Sequence, residues 1–169
     1  AGNRSQGGFS VAIGTNAGFF SQAVTSVAVG QGAGYSRQGI GSVAIGGQIN
    51  PTTVGEGGAG GWSQGNFAVA IGIAAGFSQQ GAGSVAIGRD AGAYSQAVNS
   101  VAIGYQAGLT QQGSASVAIG YQAGYSQQGS QSIAIGFQAG STQQNTGSIA
   151  IGYQAGATKQ GTSSVAIGF

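Results

Sequence analysis

The sequence contains no cysteine, no methionine and no histidine, and it has a single proline. Without cysteine there can be no disulfide and no thiolate metal site, and without histidine the Ser-His-Asp and Cys-His arrangements are excluded. Most zinc sites are excluded for the same reason. The only two acidic residues, Glu56 and Asp90, lie far apart in the sequence and are not expected to act as paired carboxylates. The sequence therefore predicts a non-enzymatic protein with no cofactor and no metal.

Charge is scarce as well, since only 4% of the 169 residues are charged, against about 25% in a typical globular domain. The four basic residues are scattered, whereas nucleic-acid binding by counterion release requires a cluster, so no nucleic acid is expected as a partner. No apolar run reaches the roughly 20 residues of a membrane span. The 37 glycines would suit disorder, but the apolar residues fall at fixed intervals, which favours a packed structure.

The chain does contain a sixteen-residue repeat, which begins with the motif S-[VI]-A-[IV]-G. The motif occurs ten times at intervals of 16 residues, apart from one interval of 26 residues between Ser42 and Ala68. We number the opening residue as repeat position 1. Position 3 is then Ala, position 5 is Gly, positions 8 and 9 are Ala-Gly and position 13 is Gln in all ten copies. A repeat in which each position has its own equivalent as neighbour predicts a solenoid.

The repeat is too short for a helix and a strand. Its segment V-A-I has β-branched residues at alternate positions, which predicts a short strand. The glycines at positions 5, 9 and usually 14 predict corners of the coil. We therefore predict a single all-β domain over residues 1–169: a parallel β-solenoid of ten coils with two short strands per coil. At about 4.8 Å per coil, it would be a rod roughly 48 Å long.

Val and Ile at positions 2 and 4 share one face of the predicted strand, and we expect this face to form a thin core between two sheets. An Asp at Ile119 or Ile135 would then unfold the neighbouring coils, because an unpaired charge would enter that core. The predicted core ladder consists of Val101, Ile103, Val117, Ile119, Ile133, Ile135, Ile149 and Ile151.

Two further columns are predicted from the repeat. The position-13 glutamines are expected to hydrogen-bond to one another along the axis as an amide ladder; they are Gln6, Gln22, Gln38, Gln64, Gln80, Gln96, Gln112, Gln128, Gln144 and Gln160. Position 6 is aromatic in the last five coils, and these rings are expected to stack on the surface or in an inter-chain contact, with carbohydrate binding as the alternative. They are Tyr105, Tyr121, Phe137, Tyr153 and Phe169.

The long interval contains an inserted segment at about residues 47–56, which holds the only proline. Because the repeat resumes in phase after it, we predict a loop that projects from one coil. The loop is either a tolerated insertion or a partner-facing contact. Its candidate contact residues are Ile49, Asn50, Pro51, Thr52, Thr53 and Val54.

Neither end of the repeat carries an atypical, polar capping copy of the kind that closes free-standing solenoids. The first residue is at position 8 and the last at position 6, so the two ends match in phase. Uncapped strands pair readily, and a head-to-tail contact that does not close produces a filament. The predicted end-to-end contact involves Ala1, Gly2, Ile167, Gly168 and Phe169. The other explanation is a window cut from a longer repeat protein.

In its motifs SVAIG and QAG, the sequence resembles the head repeats of trimeric autotransporter adhesins of the YadA type. It is also similar to the AIGYQAG repeats of tail-fibre-like proteins of bacteria, phages and large viruses. The resemblance covers nearly the whole chain, although the adhesin repeat is usually shorter. It implies a left-handed parallel β-roll, commonly assembled as a trimer, and an extracellular, cell-surface or virion-surface location.

Three functions fit these observations. The favoured one is a structural filament in which the chain is its own partner. The alternative is an adhesive or receptor-binding segment of a trimeric surface or tail fibre, with a cell-surface receptor or a glycan as partner. The third is ice binding on a flat Ser/Ala face, although the Thr columns of such a face are lacking.

Overall fold

A computed structural model describes residues 1–2, 4–47 and 58–169, and in this part the chain winds into a parallel β-solenoid. Its short strands form two parallel sheets, with no helix among the described residues. Each coil contributes one strand to each sheet, and the solenoid makes about nine turns. The predicted all-β solenoid with two short strands per coil is confirmed.

The first sheet, here called the VAI sheet, contains ten strands of three residues each. Equivalent repeat positions pair across it, as Ala102 does with Ala118. Its strands are β1 Val11–Ile13, β3 Val27–Val29, β5 Val43–Ile45, β7 Val69–Ile71, β9 Val85–Ile87, β11 Val101–Ile103, β13 Val117–Ile119, β15 Ile133–Ile135, β17 Ile149–Ile151 and β19 Val165–Ile167.

The second sheet, here called the Gln sheet, contains nine strands that each end at a position-13 glutamine. An isolated bridge between Gln6 and Gln22 extends its register by one coil. Its strands are β2 Ser21–Gln22, β4 Arg37–Gln38, β6 Ser63–Gln64, β8 Ser78–Gln80, β10 Tyr94–Gln96, β12 Thr110–Gln112, β14 Ser126–Gln128, β16 Gln143–Gln144 and β18 Lys159–Gln160.

The long interval in the repeat leaves the stacking unchanged. Strand β5 pairs with β7 at Val43 and Val69, in the same register as every other neighbouring pair of the VAI sheet. Apart from Gly47, the predicted loop and its candidate contact residues Ile49 to Val54 lie outside the described residues. Its role as a loop or a partner contact stays a prediction.

The space between the two sheets is filled by alanine, and the predicted Val/Ile core is wrong. Ala102, Ala107 and Ala118 are 0% exposed, as are most of their equivalents at positions 3 and 8. The side chains at positions 2 and 4 lie on the outer face of the VAI sheet instead. This applies to the predicted core ladder, which is half-buried or exposed at Val101, Ile103, Val117, Ile119, Ile133, Ile135, Ile149 and Ile151.

The reason for the inversion is the narrowness of the coil. A Cβ placed on Gly124 would lie 3.3 Å from the Cβ of Ala118, so the opposite walls of the solenoid are already close to contact. Side chains larger than a methyl group do not fit at position 3. Because alternate strand residues point to opposite faces, placing Ala inside turns Val and Ile outward.

The buried polar side chain at position 1 is paired locally. Ser116 is fully buried, and its Oγ donates a hydrogen bond to the carbonyl oxygen of Gly113 at 2.6 Å. The equivalent bond recurs from Ser100 to Ala97 and from Ser132 to Gly129. This bond offsets the cost of removing the hydroxyl from water.

Gly124 is a position where the repeat requires glycine. Its φ is +53°, and the equivalent glycines of the other coils have φ values close to this. A Cβ added to Gly124 would lie 2.7 Å from Oε1 of Gln128. We expect Gly124→Ala to lower the free energy of unfolding by on the order of 1–3 kcal/mol, from the left-handed backbone and the steric conflict together. Thermal unfolding followed by circular dichroism would measure this.

The matched control is Gly161→Ala, because Gly161 has no neighbouring atom within 4 Å of an added Cβ and its φ is not positive. This control should leave the free energy of unfolding nearly unchanged. Equal losses in the two variants would contradict the role assigned to Gly124.

Candidate assembly surface

The outer face of the VAI sheet is an unbroken aliphatic surface. Each of its ten strands turns two side chains outward, and all twenty of these are Val or Ile. From the spacing of strands and of residues along a strand, the face is roughly 48 Å long and about 10 Å wide. Away from the two end strands its side chains are still accessible, with Ile71 and Ile135 both 36% exposed. A continuous apolar patch of this size typically marks an interaction site.

The outer face of the Gln sheet is polar by contrast. Gln111, Gln127 and Gln143 are exposed there at equivalent positions in successive coils, and together with Thr146 they line a shallow groove of about 330 Å³. The rod therefore has one aliphatic side and one amide-rich side. The polar side is suited to water and the aliphatic side to another protein surface.

The predicted aromatic column lies beside the aliphatic face and is a continuous stack. Successive rings from Tyr105 to Phe169 have centroids 5.0 to 5.3 Å apart and planes inclined by 6° to 17°. Each inner ring therefore turns its faces towards its neighbours and its edge to the outside. Carbohydrate binding to aromatic side chains uses the ring face, so this geometry favours a contact through ring edges over the carbohydrate alternative.

A charged turn adjoins the first ring of the stack. The guanidinium of Arg89 lies 5.7 Å from the centroid of the Tyr105 ring, within the range of a cation–π contact. Nε of Arg89 is 3.4 Å from a carboxylate oxygen of Asp90. The backbone of Asp90 is left-handed, with a φ of 58°. Asp90 thus forms a local charge pair on a turn, at an exposed site where such pairs stabilise weakly.

The position-13 glutamines stack in register, but the predicted amide ladder among them is wrong for most of the column. Gln112 pairs with Gln128 across the sheet, and both side chains are buried. Nε2 of Gln128 donates to the carbonyl oxygen of Val117 at 2.7 Å. Each such bond crosses the interior from the Gln sheet to the VAI strand of the same repeat. The side-chain amides bond to one another only between Gln144 and Gln160, at 3.3 Å, among the residues described.

The side-chain oxygens of eight of these glutamines have no hydrogen-bond partner. The oxygen of Gln128 lies over Gly124, where a Cβ would be 2.7 Å away. A glycine hydrogen in that direction forms at most a weak C–H···O contact. The unpaired oxygens are Oε1 of Gln22, Gln38, Gln64, Gln80, Gln96, Gln112, Gln128 and Gln144.

An amide ladder does exist, but at position 7, where none was predicted from the sequence. Nε2 of Gln122 donates to Oε1 of Gln106 at 3.0 Å, and Gln138 and Gln154 continue the chain of bonds. These residues have positive φ and lie on the surface next to the aromatic stack. The recurring pair of an aromatic residue and Gln at positions 6 and 7 is the signal that could have indicated it.

The residues of the predicted end-to-end contact lie at the two ends of the rod. Ile167 is 74% and Phe169 is 96% exposed, and Ala1 and Gly168 are exposed as well. Gly2 is half-buried, with its N–H bonded to the carbonyl oxygen of Ala17. A contact between copies at these residues stays a prediction.

The described residues offer few groups for other chemistry. Across residues 1–2, 4–47 and 58–169, no three side chains of His, Cys, Asp or Glu lie together where they could hold a metal ion. In the same described residues there is no helix with the length and apolar character needed to span a membrane.

A family comparison identifies the repeat. The family model of the YadA head domain repeat matches two stretches, residues 80–107 and 144–169. These two stretches are similar to YadA head repeats. Together the two matched stretches make up about a third of the chain, and the second includes β17, β19 and the last two rings of the aromatic stack. Comparison with curated proteins and with solved structures gives no significant match.

YadA head repeats are surface-exposed parts of adhesins that form homotrimers. They are typical of structural, adhesin-like proteins and not of enzymes. The family thus supports the trimeric, adhesin-like alternative among the functions considered from the sequence.

Proposed function

We propose that this chain is a non-enzymatic structural segment of a trimeric, adhesin-like fibre on a cell or virion surface. Three parallel copies pack with their VAI sheets around a common axis, and their Gln sheets face the solvent. The observation that carries the proposal is the outer face of the VAI sheet, where all twenty outward side chains are Val or Ile.

The energetics of the single chain support assembly. Apart from Tyr35 and Leu109, its buried side chains are those of Ala, Ser and Gln, which bury little apolar surface, while the Val and Ile side chains of the VAI sheet are left in contact with water. Complete burial of a Val or Ile side chain contributes about 1.5–3 kcal/mol. Most of the available hydrophobic stabilisation therefore becomes accessible only when the aliphatic face is covered.

Sedimentation equilibrium tests this assignment. We expect the wild-type chain to have three times its mass of 16.2 kDa. The double variant Ile103→Ser, Ile119→Ser should lose the trimer and retain its β-sheet circular dichroism, because both side chains point out of the solenoid.

The matched control is Gln111→Ser, Gln127→Ser, which changes two exposed residues of the Gln sheet at nearby heights on the rod. It should remain trimeric. A monomeric wild type, or a trimer that survives the Ile substitutions and not the Gln substitutions, would contradict the proposal.

A second candidate is a filament formed by head-to-tail stacking of solenoids, with Ile167, Gly168 and Phe169 of one copy against Ala1 and Gly2 of the next. It is favoured by the in-register pairing of every neighbouring strand and by the outer ring face of Phe169, which continues the stack. Electron microscopy should then show long unbranched fibres. A charged, proline-containing extension after Phe169 should abolish them by disrupting the strand edge, and fibres of undiminished length would refute the stacking.

A cell-surface receptor or a glycan is the external partner that we propose for the adhesin-like role. The amide-lined groove at Gln111, Gln127 and Gln143 is the surface that the packed VAI sheets leave open. Cell binding that survives changes at these three residues would argue against the groove as the contact.

A further inference from the structure

Two corners flank the aliphatic face along the whole rod. The leading corner comprises positions 15 and 16, which precede each strand of the VAI sheet, and the trailing corner is position 6, which follows it. In one coil these are Ser114 and Ala115 before β13 and Tyr121 after it. The residues between them span roughly 16 Å at 3.3 Å per residue, so the two corners of one chain do not touch.

The trailing corner changes from small or polar to bulky along the rod. In the last five coils it is the aromatic stack, from Tyr105 to Phe169. In the first five coils the corresponding residues are mostly small or polar; they are Thr15, Gln31, Gly47, Ile73 and Arg89.

The leading corner changes in the opposite direction. In the first half of the rod it carries large apolar side chains that are exposed, namely Phe9 and Phe67 at 95% and 68%, together with Val24 and Ile40. In the last four coils it is built mainly from small polar residues, which are Ser114 and Ala115, Ser130 and Gln131, Thr146 and Gly147, and Thr162 and Ser163.

In most coils bulk on one corner is thus matched by small residues on the other corner; the exceptions are the coil with Phe67 and Ile73 and the coil with Val98 and Tyr105. The packing within one chain gives no reason for this, because the corners lie on opposite edges of the aliphatic face. Around a threefold axis, however, the trailing corner of each copy meets the leading corner of the next copy at the same height, since the contact is heterologous. The complementary bulk is then brought together.

We propose that neighbouring copies interlock along these corners. In the second half of the rod, the aromatic stack of one copy lies in the channel of small residues on the leading corner of the next copy. In the first three coils the roles are exchanged, with Phe9, Val24 and Ile40 packed over the small or polar trailing corner of the neighbouring copy. The inference rests on the proposed trimer and specifies its subunits as parallel and in register.

Disulfide trapping tests the interlock, because the chain contains no cysteine of its own. In the double variant Ala115→Cys, Tyr121→Cys, the thiol at residue 121 of one copy should contact the thiol at residue 115 of the next copy. Disulfides form only when the two Cβ atoms are about 3.5–4.5 Å apart. Under mild oxidation we expect the band on a non-reducing gel to shift from the chain mass to two and three times that mass.

Three controls make the result decisive. Tyr121→Cys alone and Ala115→Cys alone should stay at the chain mass, as should Tyr121→Cys combined with Gln111→Cys on the Gln sheet. Crosslinking of Tyr121→Cys to itself, or to Ile73→Cys, would mean that like corners face each other in antiparallel copies and would overturn the proposal.

The sedimentation mass of the unoxidised variants separates this inference from the proposed function. A trimer without the 115–121 crosslink would refute the interlock and leave the trimer standing. A monomer would refute both.

Discussion

Replacing Ala118 by Asp should unfold the coils around β13, whereas Ile119→Asp, one residue further on, should leave each chain folded and abolish the trimer. Ala118 is fully buried against the opposite wall of the solenoid, so an Asp there is a buried, unpaired charge without space. Such a group costs several kcal/mol, a large part of the 5–15 kcal/mol that stabilises a typical domain.

Ile119 points out of the solenoid and is half-buried in the single chain. An Asp at this position keeps its hydration in the monomer, but in the trimer three carboxylates would meet in the aliphatic contact. This replaces the expectation from sequence alone, in which Ile119→Asp unfolds the neighbouring coils.

Circular dichroism and sedimentation, applied to both variants, give the measurement. The expected result is lost β-sheet signal for Ala118→Asp, and full signal at the chain mass for Ile119→Asp. If Ile119→Asp unfolded the chain while Ala118→Asp did not, the assignment of the two faces would be wrong.

The second large effect is expected from Gln128→Glu, which exchanges one NH2 group for an oxygen. Gln128 is buried, and its Nε2 donates to the carbonyl oxygen of Val117. An ionised carboxylate would instead face that oxygen with no donor. Burial and the nearby carbonyl oxygen would raise the pKa of the Glu carboxyl in the folded state above its unfolded value of about 4.3.

The sign of the pH dependence follows from this shift. Below about pH 4.3 the carboxyl is protonated in both states and can donate to Val117, so the variant should approach the stability of the wild type. As the pH rises through the interval between the unfolded and folded pKa values, stability should fall by about 1.4 kcal/mol per pH unit.

Urea unfolding at pH 4 and pH 7 would measure the effect. Gln127→Glu is the matched control, because Gln127 is the exposed neighbour in the same strand, and it should show little pH dependence beyond that of the wild type. Equal stability of Gln128→Glu at both pH values would argue against the cross-sheet hydrogen bond.

The sixteen-residue period was sufficient to predict the solenoid, its two sheets and its in-register stacking. The side of the strand that faces inward was predicted wrongly. The alternation of Ala118 and Ile119 is compatible with either face, and general hydrophobicity favours burying Ile. The deciding quantity is the distance between the sheets, which depends on how closely the glycine corners bring them together. The invariance of Ala at position 3 contained this information, since a position limited to one small residue is sterically confined.

The glutamine columns show the same limit. The period predicts that Gln112 and Gln128 stack, but it does not reveal whether a side-chain amide bonds along the axis or across the interior. Inside the solenoid, the backbone carbonyl of Val117 offers a shorter hydrogen bond than the neighbouring amide. On the surface, Gln106 and Gln122 have no such competitor and form the ladder.

In the proposed trimer the Val/Ile face lies at the common axis and the Gln sheet faces outward. Pulsed electron paramagnetic resonance on single-cysteine variants carrying a spin label measures this directly, with one label at Ile135→Cys and a second sample labelled at Gln127→Cys. We expect a single inter-label distance in each sample, clearly shorter at residue 135 than at residue 127. Labels that lie closer together at residue 127, or no inter-label distance at either site, would contradict it.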